Sequence, residues 1–354
     1  MQNSTFRNKV TWYSFFFSLL VVWIHAYNAE LFLGNGAETS FAGMAENFLG
    51  ERIGQIAVPG FFMISGYLFF MDFEWGKLRG KWTRRIYSVL VPYIAWNVIY
   101  YAGYVIGSRL PWMNRVVGKG VIPLSLDELT EAILHFKYNP VFWYMYQLIF
   151  LILLAPVLYV ILKQTWAAMI WFVVLAWMIW AGAELPVVNT DALMYYSAAG
   201  KAALIVARAR ARKDASGAQD ISRKKAHEKM WPLAGVCMIV LAVIAYETGL
   251  ILAVPACFVL CRLLAVGGLW LLIPGGMIPP ATDIMRNYFF LYATHFAFVR
   301  LINKSAAMLL PHDPLVPLLL YLAMPGIVLG ISVVADKGLR TCFPGLGIIL
   351  NGGR

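Results

Sequence analysis

An all-α integral membrane protein of about ten transmembrane helices, with both termini cytoplasmic, is the fold class this sequence predicts. Composition is the first reason. Of the 354 residues, 61% are hydrophobic and 13% charged, with a mean hydropathy of +0.69; soluble domains carry about 25% charged residues. Second, the apolar residues fall into runs of bilayer-crossing length, roughly at 12–33, 53–71, 86–107, 142–162, 166–183, 190–207, 231–247, 250–273, 287–305 and 314–335. Third, if the N-terminus lies inside, most of the 29 lysines and arginines fall in segments on that side, the positive-inside bias. An even span count then returns the C-terminus to the same side.

The same counts exclude several classes. The net charge of +11 does not point to nucleic acid, because the basic residues flank apolar spans. Cys237, Cys257, Cys261 and Cys342 show no metal-type spacing, so no metal site is expected, and three of them lie in apolar runs as reduced core thiols. Arg7 and Lys9 precede an apolar run, but no small-residue cleavage site follows, so the first helix reads as retained. The chain reads as one membrane domain over 1–354. A basic cytoplasmic loop at about 208–229 (RARARKDASGAQDISRKKAHEK) has the composition of a mobile linker, with His227 solvated in it. No internal repeat is visible, which removes one signature of transporters.

Within the first span, Trp12–Ile24 is about 13 residues, too short to cross alone. A helix carried on to Leu33 crosses, placing His25 near the middle, slightly towards the far end. Helical spacing puts Ser14, Ser18, His25 and Asn28 on one stripe, which lipid cannot satisfy and which should face protein or water. An imidazole there is either a structural hydrogen-bonding group or a proton carrier.

The second span, VPGFFMISGYLFF, contains Pro59, Gly60, Ser65 and Gly66. Ser65 would be a nucleophile only with a base beside it; close helix packing through Ser65 and Gly66 is the plainer role. In KLRGKWTRRIYSVLVPYIAWN, Lys81, Arg84 and Arg85 share a helix face. They either fix topology or dock phosphates. In the connection 108–139, LSLDELTEAILHF reads as a short amphipathic helix capped by Ser125, with Glu128 as its capping-box partner. The fourth span opens NPVFWYMYQLIF; Trp143 and its neighbours form an interfacial belt or a stacking platform for a sugar. The ninth span carries Tyr288, Tyr292 and His295 on one stripe. It runs in the same direction as the first, with His295 at a depth comparable to His25, so the two histidines suggest one internal cavity.

Taken in order, the His late in the first helix, VPGFFMISGYLF, the basic cluster leading into VPYIAWN, FWYMYQL and YATH resemble the bacterial membrane acyltransferase-3 superfamily, in its sugar O-acetyltransferase-like branch. The resemblance covers roughly 10–335. It implies a ten-helix core in the bacterial cytoplasmic membrane that moves an acyl group, usually acetyl, from cytosolic acetyl-CoA (acyl-CoA). The acceptor it implies is a hydroxyl of a cell-envelope glycan or lipid-linked sugar. His25 matches the family's essential first-helix histidine, and Lys81, Arg84 and Arg85 match its basic motif. The family commonly has Arg eleven residues before that His; here Ser14 occupies the position, with Arg7 and Lys9 one to two turns earlier. His25 is therefore expected as general base, Lys81, Arg84 and Arg85 as donor-binding residues, and Asn28, Ser65, Trp143, Tyr292 and His295 as candidates for acceptor or oxyanion contacts. A proton-coupled transporter or flippase using His25 and His295, or a catalytically degenerate membrane sensor, are the rival readings.

Overall fold

The computed structural model describes residues 2–216 and 221–353, and among them it is all helical, with no strand. In chain order the helices are α1 (Gln2–His25), α2 (Ala29–Leu33), α3 (Phe41–Ala45), α4 (Ala57–Phe70), α5 (Leu78–Arg85), α6 (Val91–Gly107), α7 (Pro111–Val117), α8 (Leu126–Leu134) and α9 (Trp143–Lys163). They continue as α10 (Thr165–Trp180), α11 (Thr190–Ser216), α12 (Ile221–Leu252), α13 (Pro255–Leu272), α14 (Asp283–Arg286), α15 (Tyr288–Leu309), α16 (Leu315–Cys342) and α17 (Pro344–Leu350). Helix occupies most of each of the ten expected apolar stretches, with interruptions at 26–28 in the first and 253–254 in the eighth. Seven segments among the described residues are both long and apolar enough to cross a membrane: Ser4–Leu33, Phe41–Phe70, Trp75–Gly107, Pro140–Lys163, Met230–Leu252, Pro255–Leu272 and Leu315–Cys342. The stretches at 166–183, 190–207 and 287–305 are not among those seven. The first forms a shorter apolar helix, and the other two lie in helices that carry more polar residues.

The chain forms two compact units, interleaved in sequence. One comprises Met1–Ser14, Ile56–Lys81 and Gln147–Ala281. Inside it, glycine sets how closely helices approach. A Cβ at Gly66 of α4 would sit 2.5 Å from the Tyr196 carbonyl oxygen of α11, and one at Gly200 of α11 would meet the Phe70 ring at 2.5 Å. Gly235 and Gly268 bring α12 against α13 in the same way, a Cβ at Gly235 falling 2.8 Å from the Gly268 carbonyl oxygen. Small residues at membrane-helix contacts allow this backbone approach, where dispersion replaces the absent hydrophobic drive. Arg262 pairs with Asp191 at 3.9 Å, and Lys201 donates to the Leu162 carbonyl at 2.9 Å. Gly66→Leu is expected to cost about 1–3 kcal/mol by overpacking, read as a lower Tm in detergent. An unchanged Tm would show that α4 and α11 do not depend on this contact.

The second unit comprises Phe15–Gln55, Trp82–Tyr146 and Thr282–Arg354. Its core joins Val22 and Ala26 to Leu291, Val299, Tyr321, Met324 and Val328, so the end of α1 is packed against α15 and α16. Trp96 of α6 donates to the Leu350 carbonyl of α17 at 3.0 Å. In α8 the Ser125 hydroxyl accepts from the Glu128 N–H, as expected of an N-cap. The reciprocal half of the capping box is not formed. The Ser125 N–H donates to the Tyr101 hydroxyl, while the Glu128 carboxylate takes Lys137 and Tyr138. Those two hydrogen bonds, Tyr138 first, hold the Glu128 carboxyl below the ordinary carboxylate range.

Three expectations are corrected. The first helix does not run to Leu33: α1 ends at His25 and α2 starts at Ala29. Because α1 begins at Gln2 and is 24 residues long, about 36 Å at 1.5 Å per residue, His25 is its last residue rather than a mid-helix one. The 208–229 segment, expected as a basic loop, is largely helical. Residues 208–216 continue α11 and 221–229 begin α12, because Ala, Arg and Lys are strong helix formers even without an apolar period. Residues 217–220 and the His227 side chain lie outside the described residues. Finally, Cys237 is exposed rather than core. An apolar span need not turn every apolar residue inward when its outer face meets lipid, and exposed Val240, Val243 and Ile244 on the same helix follow that rule.

Candidate functional site

The site is built around the end of α1. The polar stripe faces inward as expected: Ser14, Ser18 and Asn28 are buried, while Phe16 is turned outward. His25, half-buried, lies beside fully buried His295 of α15, with ring centroids 5.3 Å apart and planes tilted by 38°. Phe296 packs edge-on against His25 at 5.8 Å. The two imidazoles, 270 positions apart in sequence, are thus neighbours.

Their hydrogen bonding is asymmetric. His295 Nδ1 stands 2.6 Å from the Tyr292 carbonyl oxygen. A carbonyl only accepts, so Nδ1 carries the proton, and in the neutral ring Nε2 holds the lone pair. That Nε2 is buried with no hydrogen-bond partner among the described residues. The second histidine therefore presents a basic nitrogen inside the protein, oriented by backbone.

What fixes His25 is the helix break that follows it. The Asn28 and Ala29 N–H groups, orphaned at the start of α2, both donate to Glu46 Oε1 at 2.6 and 2.8 Å. The Ala26 and Tyr27 carbonyls, freed at the end of α1, accept from Asn303 Nδ2 at 3.0 and 3.3 Å. A side-chain acceptor from before α4 and a donor from α15 thus replace the intrahelical bonds that three non-helical residues forgo. Asn28 also reaches the Asn303 Oδ1 at 3.4 Å. Glu46 and Asn303 act as positioning residues for His25, and sequence reading missed both. Asn28, an N-cap residue type preceding a short helix, was the one local hint of the break. On its far side Glu46 borders a cavity of about 500 Å³, lined also by Tyr27, Glu30, Glu38 and Glu51.

The remaining candidates divide. Tyr292 joins the site, its ring 5.9 Å from that of His295. Its hydroxyl donates to the Val141 carbonyl at 2.7 Å, and its ring stacks on Phe142 at 5.7 Å and 6°. The aromatic cluster that opens α9 thus packs inward on Tyr292, with Tyr93 also stacked against Phe142 at 6.1 Å. Trp143 itself is half-buried at the start of α9. Ser65 lies half-buried on α4 in the other compact unit, next to the glycine that contacts α11.

Lys81, Arg84 and Arg85 all stand on α5, with Arg84 exposed and Arg85 half-exposed. Lys81 Nζ donates to the Phe69 and Met71 carbonyls at 2.8 and 3.0 Å. It thereby caps α4, as a cation at a helix C-terminus is expected to do. Among the described residues no group of three or more His, Cys, Asp or Glu is placed to hold a metal ion.

A family model described as an acyltransferase domain matches residues 15–337. No curated protein and no solved structure matches the chain.

Proposed function

Because the chain belongs to the acyltransferase-3 family, we propose that this multi-pass membrane acyltransferase takes an acetyl group from cytosolic acetyl-CoA. The acceptor is a hydroxyl of a cell-envelope glycan or lipid-linked sugar. The reading places the protein in a bacterial cytoplasmic membrane, with ten crossings and both termini inside, as the charge bias favours. The observation that carries it is the internal pair of imidazoles, His25 and His295, with ring centroids 5.3 Å apart, one of them with a buried Nε2 that takes no hydrogen bond among the described residues.

In this mechanism Arg84 and Arg85 take the donor's phosphates at the membrane surface, guanidinium forks suiting phosphate oxygens. Lys81 contributes charge there while it caps α4. Neutral His25 removes the proton from the acceptor hydroxyl as its oxygen attacks the thioester carbonyl. The tetrahedral intermediate collapses, the C–S bond breaks, and the imidazolium returns its proton to the departing thiolate. His295, with Nδ1 fixed by backbone, offers Nε2 as acceptor to a neighbouring hydroxyl of the same sugar, which orients the reacting one towards His25. Asn28 stands beside the same helix break. Trp143 and the aromatic opening of α9 supply flat apolar surface of the kind sugars stack on. The carboxylate-lined cavity at Glu46 suits a ligand rich in hydroxyl donors, which supports a glycan acceptor.

The test uses membranes carrying the full chain and acetyl-labelled acetyl-CoA. Label is expected in alkali-labile ester on envelope glycan, and Arg84→Ala with Arg85→Ala is expected to raise the KM for acetyl-CoA with a smaller change in kcat. Wild-type membranes that transfer no label to any hydroxyl acceptor would remove the proposal.

A further inference from the structure

Lys9 is a buried cation with no anion beside it among the described residues. It is 8% exposed, and its Nζ donates to the Trp270 carbonyl at 2.5 Å. The same Nζ stands 4.3 Å from the centre of the Trp270 ring and 5.8 Å from that of Tyr13. No carboxylate pairs with it among the described residues. An ammonium has three donors, so two remain after the carbonyl is satisfied. Burying such a charge is unfavourable unless something negative meets it.

The surroundings are rigid and hollow. Asn8 and Trp12 hydrogen-bond the Pro279 carbonyl at 2.9 and 2.8 Å, and the Asn8 side chain accepts from the Ala281 N–H at 2.7 Å. These bonds pin the turn after α13 to α1. Between them lies a cavity of about 610 Å³ lined by Lys9, Trp231, Trp270, Leu271, Pro274 and Gly276. Every lining residue belongs to one compact unit.

We infer that this cavity is a phosphate-binding site, occupied by the headgroup of an anionic phospholipid. Lys9 meets the phosphate, while Trp231 and Trp270 flank the glycerol and the first part of the acyl chains. Depth favours a lipid. Lys9 lies near the start of the first candidate span, Ser4–Leu33, where side chains meet the headgroup layer and basic residues attract anionic lipid. Trp231 is half exposed at the rim, and Met230 and Leu233 beside it are 62% and 65% exposed, giving apolar surface for acyl chains. Nothing in the acyl-transfer reading depends on this site.

Native mass spectrometry of the full chain in detergent tests it, with phosphatidylglycerol, phosphatidylcholine and soluble coenzyme A as separate probes. Phosphatidylglycerol adducts are expected on the wild type and on Lys9→Arg. Lys9→Met should retain them about tenfold less, the loss of a charge-assisted hydrogen bond. Phosphatidylcholine should not distinguish the proteins. Trp231→Ala, at a half-exposed position, should weaken the same adduct with the Tm unchanged, separating ligand loss from misfolding. Equal phosphatidylglycerol retention by wild type and Lys9→Met overturns the site; a difference confined to coenzyme A overturns the lipid assignment.

Discussion

His25→Ala is expected to lower acetyl transfer by about 10²–10⁴-fold at saturating donor, the usual worth of a positioned general base. The fold should tolerate the change. His25 is half-buried at a helix end, and the bonds that hold the break after it belong to Glu46 and Asn303, not to the imidazole. Tm measured alongside the rate distinguishes lost chemistry from lost structure. A variant that transfers acetyl at the parent rate would rule out the base role and shift attention to His295, whose Nε2 takes no hydrogen bond among the described residues.

The second large effect is expected at a residue the mechanism never brings to the reacting atoms. Glu46→Leu removes the one oxygen that accepts from both the Asn28 and Ala29 N–H groups. Leaving two partly buried donors unsatisfied costs about 2–4 kcal/mol, and the backbone after His25 loses its anchor. Both Tm and kcat should fall. Glu46→Gln keeps an accepting oxygen at the same reach and should recover most of each, which a role for the carboxylate charge in binding acceptor would not allow. If Gln is as damaging as Leu, Glu46 acts through its charge and the positioning account fails.

The membrane class was legible because lipid imposes a simple rule. A spanning helix must satisfy its backbone internally and offer apolar side chains over about 20 residues, and composition and run length record that directly. The pairing of the two histidines was partly legible too. Two polar stripes at similar depth on apolar helices, one with His25 and one with His295, had to face inward, and a shared interior was the consequence. Gly66 shows the same economy: a small residue on a membrane helix predicts close approach, and α11 makes it.

The helix break was not legible. HAYNAELFL contains no Pro or Gly, and its Ala, Glu and Leu are good helix formers, so local propensity favoured a continuous helix to Leu33. Tertiary partners overrode it. The Tyr67-to-Met71 end of α4 likewise drew Lys81 into a capping role that the i, i+3, i+4 spacing of the basic cluster could not reveal.

By itself, then, the sequence determined an all-helical membrane protein, the residues that must turn away from lipid, and the charged segments that must stay out of it. These follow from side-chain transfer between water and hydrocarbon, which each residue carries with it. Only the tertiary structure decided where α1 stops, which nitrogen of His295 is left basic, and that Glu46 and Asn303 hold the turn after His25. The break and its two anchors depend on hydrogen bonds closed across 17 to 277 positions of chain, and no local pattern of residues encodes which distant partner will arrive; the His295 proton depends on how its ring meets the Tyr292 carbonyl.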